Sequence, residues 1–132
     1  MATIKGYTDL EQSKVLAEML PLETADMYYC YGMDIHTKVW SFDDVPTIID
    51  NSNQIDVDFD IPCWSLAALI EIIENIDKLQ KVEVSFTHNG GKYWIDVHFD
   101  EFGSFCQDHE LYDSKIDALI AMIENFKNRN LL

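Results

Sequence analysis

Three groups of residues carry the chemistry on offer in this chain. Asp56-Val57-Asp58-Phe59-Asp60 is an alternating run of carboxylates. Tyr28, Tyr29, Tyr31, Trp40 and Trp64 are aromatics able to line a ligand pocket. Cys30, Cys63 and Cys106, with His36, His88, His98 and His109, are the nucleophiles, bases and soft metal ligands.

Asp-x-Asp-x-Asp opens a calcium loop only where the chain turns sharply, usually at a glycine, and gathers its oxygens. Here Ile61-Pro62 follows Asp60 instead. Ile55, Val57, Phe59 and Ile61 alternate with the three aspartates, which is the period of a strand with one apolar face. A strand would spread Asp56, Asp58 and Asp60 along its outer side, where they suit a basic protein surface and not a metal. The histidines fall in separate elements, and His109-Glu110 has Asp113 where a second metal-binding histidine would be needed. Cys63 stands just before a helix start, where the dipole can lower a thiol pKa. A nucleophile also needs a base and an oxyanion site, and the spacing supplies neither. Glycine-rich phosphate loops and Gly-x-Ser-x-Gly are absent. No catalytic residue, cofactor or metal site is therefore assigned, and an enzyme is disfavoured. The five aromatics either line a pocket or form a partly buried cover over the core.

Charge narrows the partners. The formal net charge is −15 over 132 residues. From Val39 to Asp77 there is no Lys or Arg, against Asp43, Asp44, Asp50, Asp56, Asp58, Asp60, Glu71, Glu74 and Asp77. A second such stretch runs from Tyr93 to Ser114. Direct nucleic-acid binding needs the opposite sign, and so do anionic membranes. A basic protein partner is permitted. Three widely spaced cysteines without a Cys-x-x-Cys pair, and an N-terminus without an apolar leader, fit a reducing cytoplasm.

The elements that must position these residues are legible from periodicity. Pro62 to Ile76 reads as the central helix. Ser65 is its cap, Trp64 a staple onto Leu69, and Leu66, Leu69, Ile70, Ile73 and Ile76 its apolar stripe. A first helix spans Thr8 to Leu20, with Thr8 and Glu11 as a capping box and Pro21 as its stop. Met27–Tyr31 and Lys38–Phe42 read as a short antiparallel pair, followed by a loop from Asp43 to Gln54. Val82, Val84 and Phe86, then Tyr93, Ile95, Val97 and Phe99, are the clearest strand pattern. Asn89-Gly90-Gly91 between them supplies the positive φ of a tight turn. With Asn89-Gly90 as the loop, Glu83 opposes Asp96; with Gly90-Gly91, Glu83 opposes His98. Both registers stay open. Phe102 to Leu111 extends the hairpin to a meander. The last helix has Asp113 or Ser114 as cap and Ile116, Leu119, Ile120, Ile123 and Phe126 as its stripe. The expectation is one α+β domain over residues 1–132: an antiparallel sheet, hairpin or meander near 82–109 plus short strands, packed by about three helices.

Pro62-Cys-Trp-Ser-Leu-Ala-Ala-Leu-Ile, Ala25-Asp26-Met27-Tyr28-Tyr29 after Thr8-Asp-Leu-Glu-Gln-Ser-Lys, and Tyr112-Asp113 before Ile-Asp-Ala-x-x-x-Met-Ile together resemble a family of small uncharacterised proteins. That family is encoded by phages and mobile elements of gut anaerobes. The resemblance spans most of the chain and implies one fold and an intracellular, phage-related origin. It carries over no site residue.

The leading expectation is a non-enzymatic interaction module presenting Asp56, Asp58 and Asp60 to a basic partner, in its sharpest form a nucleic-acid mimic. The alternative is a small-molecule site or enzyme lined by Tyr28, Tyr29, Tyr31, Trp40 and Trp64. A third is a subunit that dimerises through a sheet edge or the Trp94 face; composition leaves the oligomeric state open.

Overall fold

The computed structural model describes residues 6–76, 79–99, 103–106 and 110–132, with 103–106 described by backbone alone. The chain is an α+β fold with three α-helices and antiparallel sheets of two and three strands among the described residues. These residues divide into two compact units, 7–68 and 69–132 with Gly6.

In the first unit, helix α1 is Leu10–Ala17. Its capping box is Asp9 with Gln12, one position later than the Thr8–Glu11 box expected. The Asp9 carboxylate accepts from the Gln12 amide at 2.8 Å, and the Gln12 side chain accepts from the Asp9 amide at 3.1 Å. Thr8 is displaced from capping because it is fully buried and bonded elsewhere. Its hydroxyl accepts from the Trp64 amide at 3.2 Å and shares a 2.7 Å hydrogen bond with the buried Ser13 hydroxyl. The Thr8 amide donates to the Trp64 carbonyl at 3.0 Å, and the Thr8 carbonyl accepts from the Tyr29 hydroxyl at 2.8 Å. A buried polar group is tolerated only when bonded in this way.

The aromatic run expected as one strand is two. Strand β1 is Met27–Tyr29 and β2 is Tyr31–Met33. Strand β3, Trp40–Phe42, pairs with β2 through Tyr31↔Phe42, Gly32↔Ser41 and Met33↔Trp40. Strand β1 is instead the centre of a second sheet. It is flanked by β4, Thr47–Ile48, inside the expected 43–54 loop, and by β5, Ile61–Cys63, against which α1 packs. The expected strand over 55–61 is absent. Only Ile61 joins β5, and 55–60 is an irregular turn leaving Val57 66% and Phe59 61% exposed. The aspartates cause this, since their side chains bond nearby amides and give the backbone an alternative to a ladder. Asp60 Oδ2 accepts from the Asp56 amide at 2.8 Å, and Asp56 Oδ1 accepts from the Asp58 amide at 3.0 Å.

Helix α2, Leu66–Glu74, begins after Ser65, as expected. The Ser65 hydroxyl accepts from the Ala68 amide at 3.1 Å and is braced by Asp26, which takes both the Ser65 amide and its hydroxyl proton. Leu69, Ile73 and Ile76 are buried, while Leu66 and Ile70 sit at half-buried margins.

The second unit holds the hairpin of β6, Glu83–Asn89, and β7, Lys92–Phe99, with Gly90-Gly91 as its loop. Their φ values of 61° and 82° are left-handed, which glycine adopts without a Cβ penalty. Glu83 therefore opposes His98 and Phe86 opposes Ile95, the electrostatically favourable register. Strand β8, Gly103–Cys106, completes the meander on β7; residues 102 and 107–109 of the expected third strand, with His109, lie outside the described residues. Helix α3, Lys115–Asn128, packs on β7. Ser114, not Asp113, caps it, accepting from the Asp117 amide at 3.0 Å. Its expected stripe, Ile116 to Phe126, is buried throughout.

Candidate functional site

The candidate site is built by the β2–β3 hairpin and the 55–60 turn, both in the first unit. Asp34 closes the hairpin: its Oδ1 accepts from the His36 and Thr37 amides at 2.7 and 3.1 Å. Those two bonds hold the Asp34 carboxyl below its ordinary pKa. Lys38, at φ 57°, completes the reversal. Directly opposed residues of an antiparallel pair share a face, so Tyr31, Met33, Trp40 and Phe42 stand together. Tyr31 is the centre of that face. Its ring lies 5.5 Å from Trp40 at an interplanar angle of 28°, and 4.8 Å from Phe42. Lys14 Nζ sits 5.7 Å from the centroid of Phe42. Phe42, which does not line the cleft described below, thus holds one ammonium of this chain by cation–π attraction.

Asp60 ties the turn to this hairpin. Its Oδ1 accepts from the Tyr31 amide at 3.0 Å, while Oδ2 holds the Asp56 amide. The result is a cleft of about 570 Å³ lined by Cys30, Tyr31, Trp40, Asp56, Phe59 and Asp60. Trp40 is 57% exposed although Tyr31 stacks on it.

The acidic and aromatic candidates therefore meet in part. Tyr31 and Trp40 converge with Asp56 and Asp60 on one cleft. Asp58 is exposed and does not line it. Tyr28, Tyr29 and Trp64 do not line this cleft; all three are buried. Tyr29 donates to the Thr8 carbonyl, and the Trp64 indole donates to the Thr24 hydroxyl at 2.9 Å. Aromatic composition alone does not separate a core ring from a cleft ring. Phe59 and Cys30 are cleft residues that sequence reasoning missed. The alternation places Phe59 on an inward strand face; the signal against this is its position between Asp58 and Asp60, whose side chains compete with backbone pairing. Cys30 carries no distinguishing signal.

The field in the cleft is negative. Burial, followed by Asp60 and Asp43, pushes the Cys30 thiol above its ordinary pKa. A protonated thiol is a poor nucleophile, and among the described residues no histidine lines the cleft to activate it. Among the described residues no group of three or more His, Cys, Asp or Glu is placed to hold a metal ion.

Burial also raises the phenol pKa of Tyr28 and Tyr29, and burial with a hydrogen bond to Glu110 raises that of Tyr112 to about 12, against 10.0 unperturbed. The folded state favours each neutral phenol, so their contribution is complete below pH 10 and is lost as pH rises above it, for Tyr112 by about 12. Urea midpoints should fall over that window, and the fall should be shallower for Tyr29→Phe. Equal slopes for the variant and the parent would contradict the assignment.

No family model, curated protein or solved structure matches the chain. Among the described residues, no helix is long and apolar enough to cross a membrane.

Proposed function

We propose that the chain is an interaction module whose β2–β3 hairpin and 55–60 turn receive a cationic side chain from a basic protein. The observation that carries this reading is the convergence of Tyr31, Trp40 and Phe59 with Asp56 and Asp60 on one cleft. Aromatic faces and carboxylates attract the same class of group, an organic cation. The surroundings agree in sign, since no Lys or Arg occurs from Val39 to Asp77. Complementary charge would speed encounter and fix orientation. Phosphate mimicry fits less well, because it needs an even ladder of acids and the 55–60 turn has none. The protonated Cys30 thiol favours binding over covalent chemistry.

Titration with polylysine and polyarginine, followed by tryptophan fluorescence, tests the reading. Binding should weaken as salt is raised and should weaken about tenfold in Trp40→Ala, the effect of losing one well-placed aromatic contact. Diffuse charge attraction would survive that substitution unchanged. Parent-like binding by Trp40→Ala would therefore sink the cleft as the binding site.

A further inference from the structure

Resting on that reading, we infer that the cationic group the cleft selects is an arginine guanidinium rather than a lysine ammonium. The two cations differ in shape. An ammonium is a compact, strongly hydrated point charge, best held where rings converge on it from several sides. A guanidinium is flat, weakly hydrated and able to stack on an aromatic face while its edge donates to carboxylates.

The cleft has the second geometry. Tyr31 and Trp40 lie 28° from parallel at 5.5 Å, so they form a stacked platform and not a converging cage. Trp40 remains more than half exposed on this platform, leaving indole surface for one more planar group. Phe59 supplies an apolar wall of the kind that covers a long aliphatic stem. The carboxylates are fixed before any ligand arrives. Asp60 is held by the amides of Tyr31 and Asp56, and Asp56 by the amide of Asp58. An ionised carboxylate has about four lone-pair sites, so both aspartates retain acceptor capacity for the fork of a guanidinium. Because they are held in place, little side-chain freedom is lost on binding.

Three capped tripeptides test this: acetyl-Gly-Arg-Gly-amide and its lysine and citrulline counterparts. Citrulline keeps the planar shape and loses the charge. Binding is followed by amide and indole NMR shifts at millimolar peptide, and by protection of Cys30 from iodoacetamide, located by peptide mapping. Cys63 is fully buried and so is the internal reference for folding. The arginine peptide should shift the Trp40 indole signal, protect Cys30, and bind at least fivefold more tightly than the lysine peptide. Citrulline should be at least tenfold weaker than arginine. Phe59→Ala, at an exposed position, should lower arginine affinity without changing the thermal midpoint.

Equal or tighter binding of lysine overturns the selectivity while leaving the cationic cleft intact. Citrulline binding as well as arginine overturns it by removing the charge requirement. No arginine response, with polycation binding still dependent on Trp40, also overturns the inference alone. Polycation binding indifferent to Trp40→Ala removes the parent reading with it.

Discussion

Replacing Trp64 with alanine should lower the unfolding free energy by about 3–5 kcal/mol, the range for truncating a large buried aromatic. Trp64 has no exposed surface and is the largest fully buried side chain in the described residues. Its main chain is bonded on both sides to Thr8, and its indole N–H donates to Thr24. Truncation would leave a cavity and an unused Thr24 acceptor at once. Domains of this size have roughly 5–15 kcal/mol in total, so the variant should sit close to the unfolding threshold at room temperature. Trp64→Phe separates the two contributions. It keeps most of the ring and loses only the indole donor and some volume, and should cost less than half as much. Urea denaturation followed by circular dichroism reads both. An alanine variant that loses under about 1 kcal/mol, typical of a surface substitution, would mean that Trp64 is not packed as described.

Thr8→Val should cost about 2–4 kcal/mol, although the two side chains have nearly the same shape. The hydroxyl is the acceptor for the buried Trp64 amide and the partner of the buried Ser13 hydroxyl. Valine would leave the Trp64 amide without its acceptor and Ser13 with only the weak Cys63 thiol as a partner, and an orphaned buried group costs about 1–3 kcal/mol. Thr8→Ser keeps the hydroxyl and removes one methyl, and should cost about 1 kcal/mol. The pair of variants also distinguishes two roles. Were Thr8 the helix cap, serine would be neutral and valine would cost about 1 kcal/mol. The observed cap, Asp9, makes the complementary case: Asp9→Ala should show that smaller loss.

Thr8 also shows where reading by local pattern ends. Thr8-x-x-Glu11 and Asp9-x-x-Gln12 are both capping boxes by sequence. Which one forms depends on Trp64, 56 residues away, whose amide needs a buried acceptor. The 55–60 segment makes the same point in reverse. Its alternation is that of a strand, but the short aspartate side chains satisfy the backbone locally, and β5 begins only at Ile61. The same turn builds the cleft, because it leaves Phe59 as an exposed wall instead of a core residue.

Elsewhere the pattern was sufficient. Ile116 to Phe126 and Leu69, Ile73 and Ile76 recur at helical spacing and are buried as that spacing requires. The hairpin over residues 83–99 follows from period-two alternation around a pair of glycines with positive φ. These features depend on neighbours within about two turns or one hairpin, so the order of residues contains their cause. The sequence by itself therefore determined the buried faces of α2 and α3, the hairpin and the sign of the charge, whereas α1 ends at Ala17, short of the stop expected at Pro21. Tertiary structure alone decided that Tyr31 and Trp40, and not Tyr28, Tyr29 or Trp64, face Asp56 and Asp60 across one cleft. That choice rests on which strand each ring's backbone pairs with and which distant amide each aspartate finds, and no periodicity along the chain encodes either.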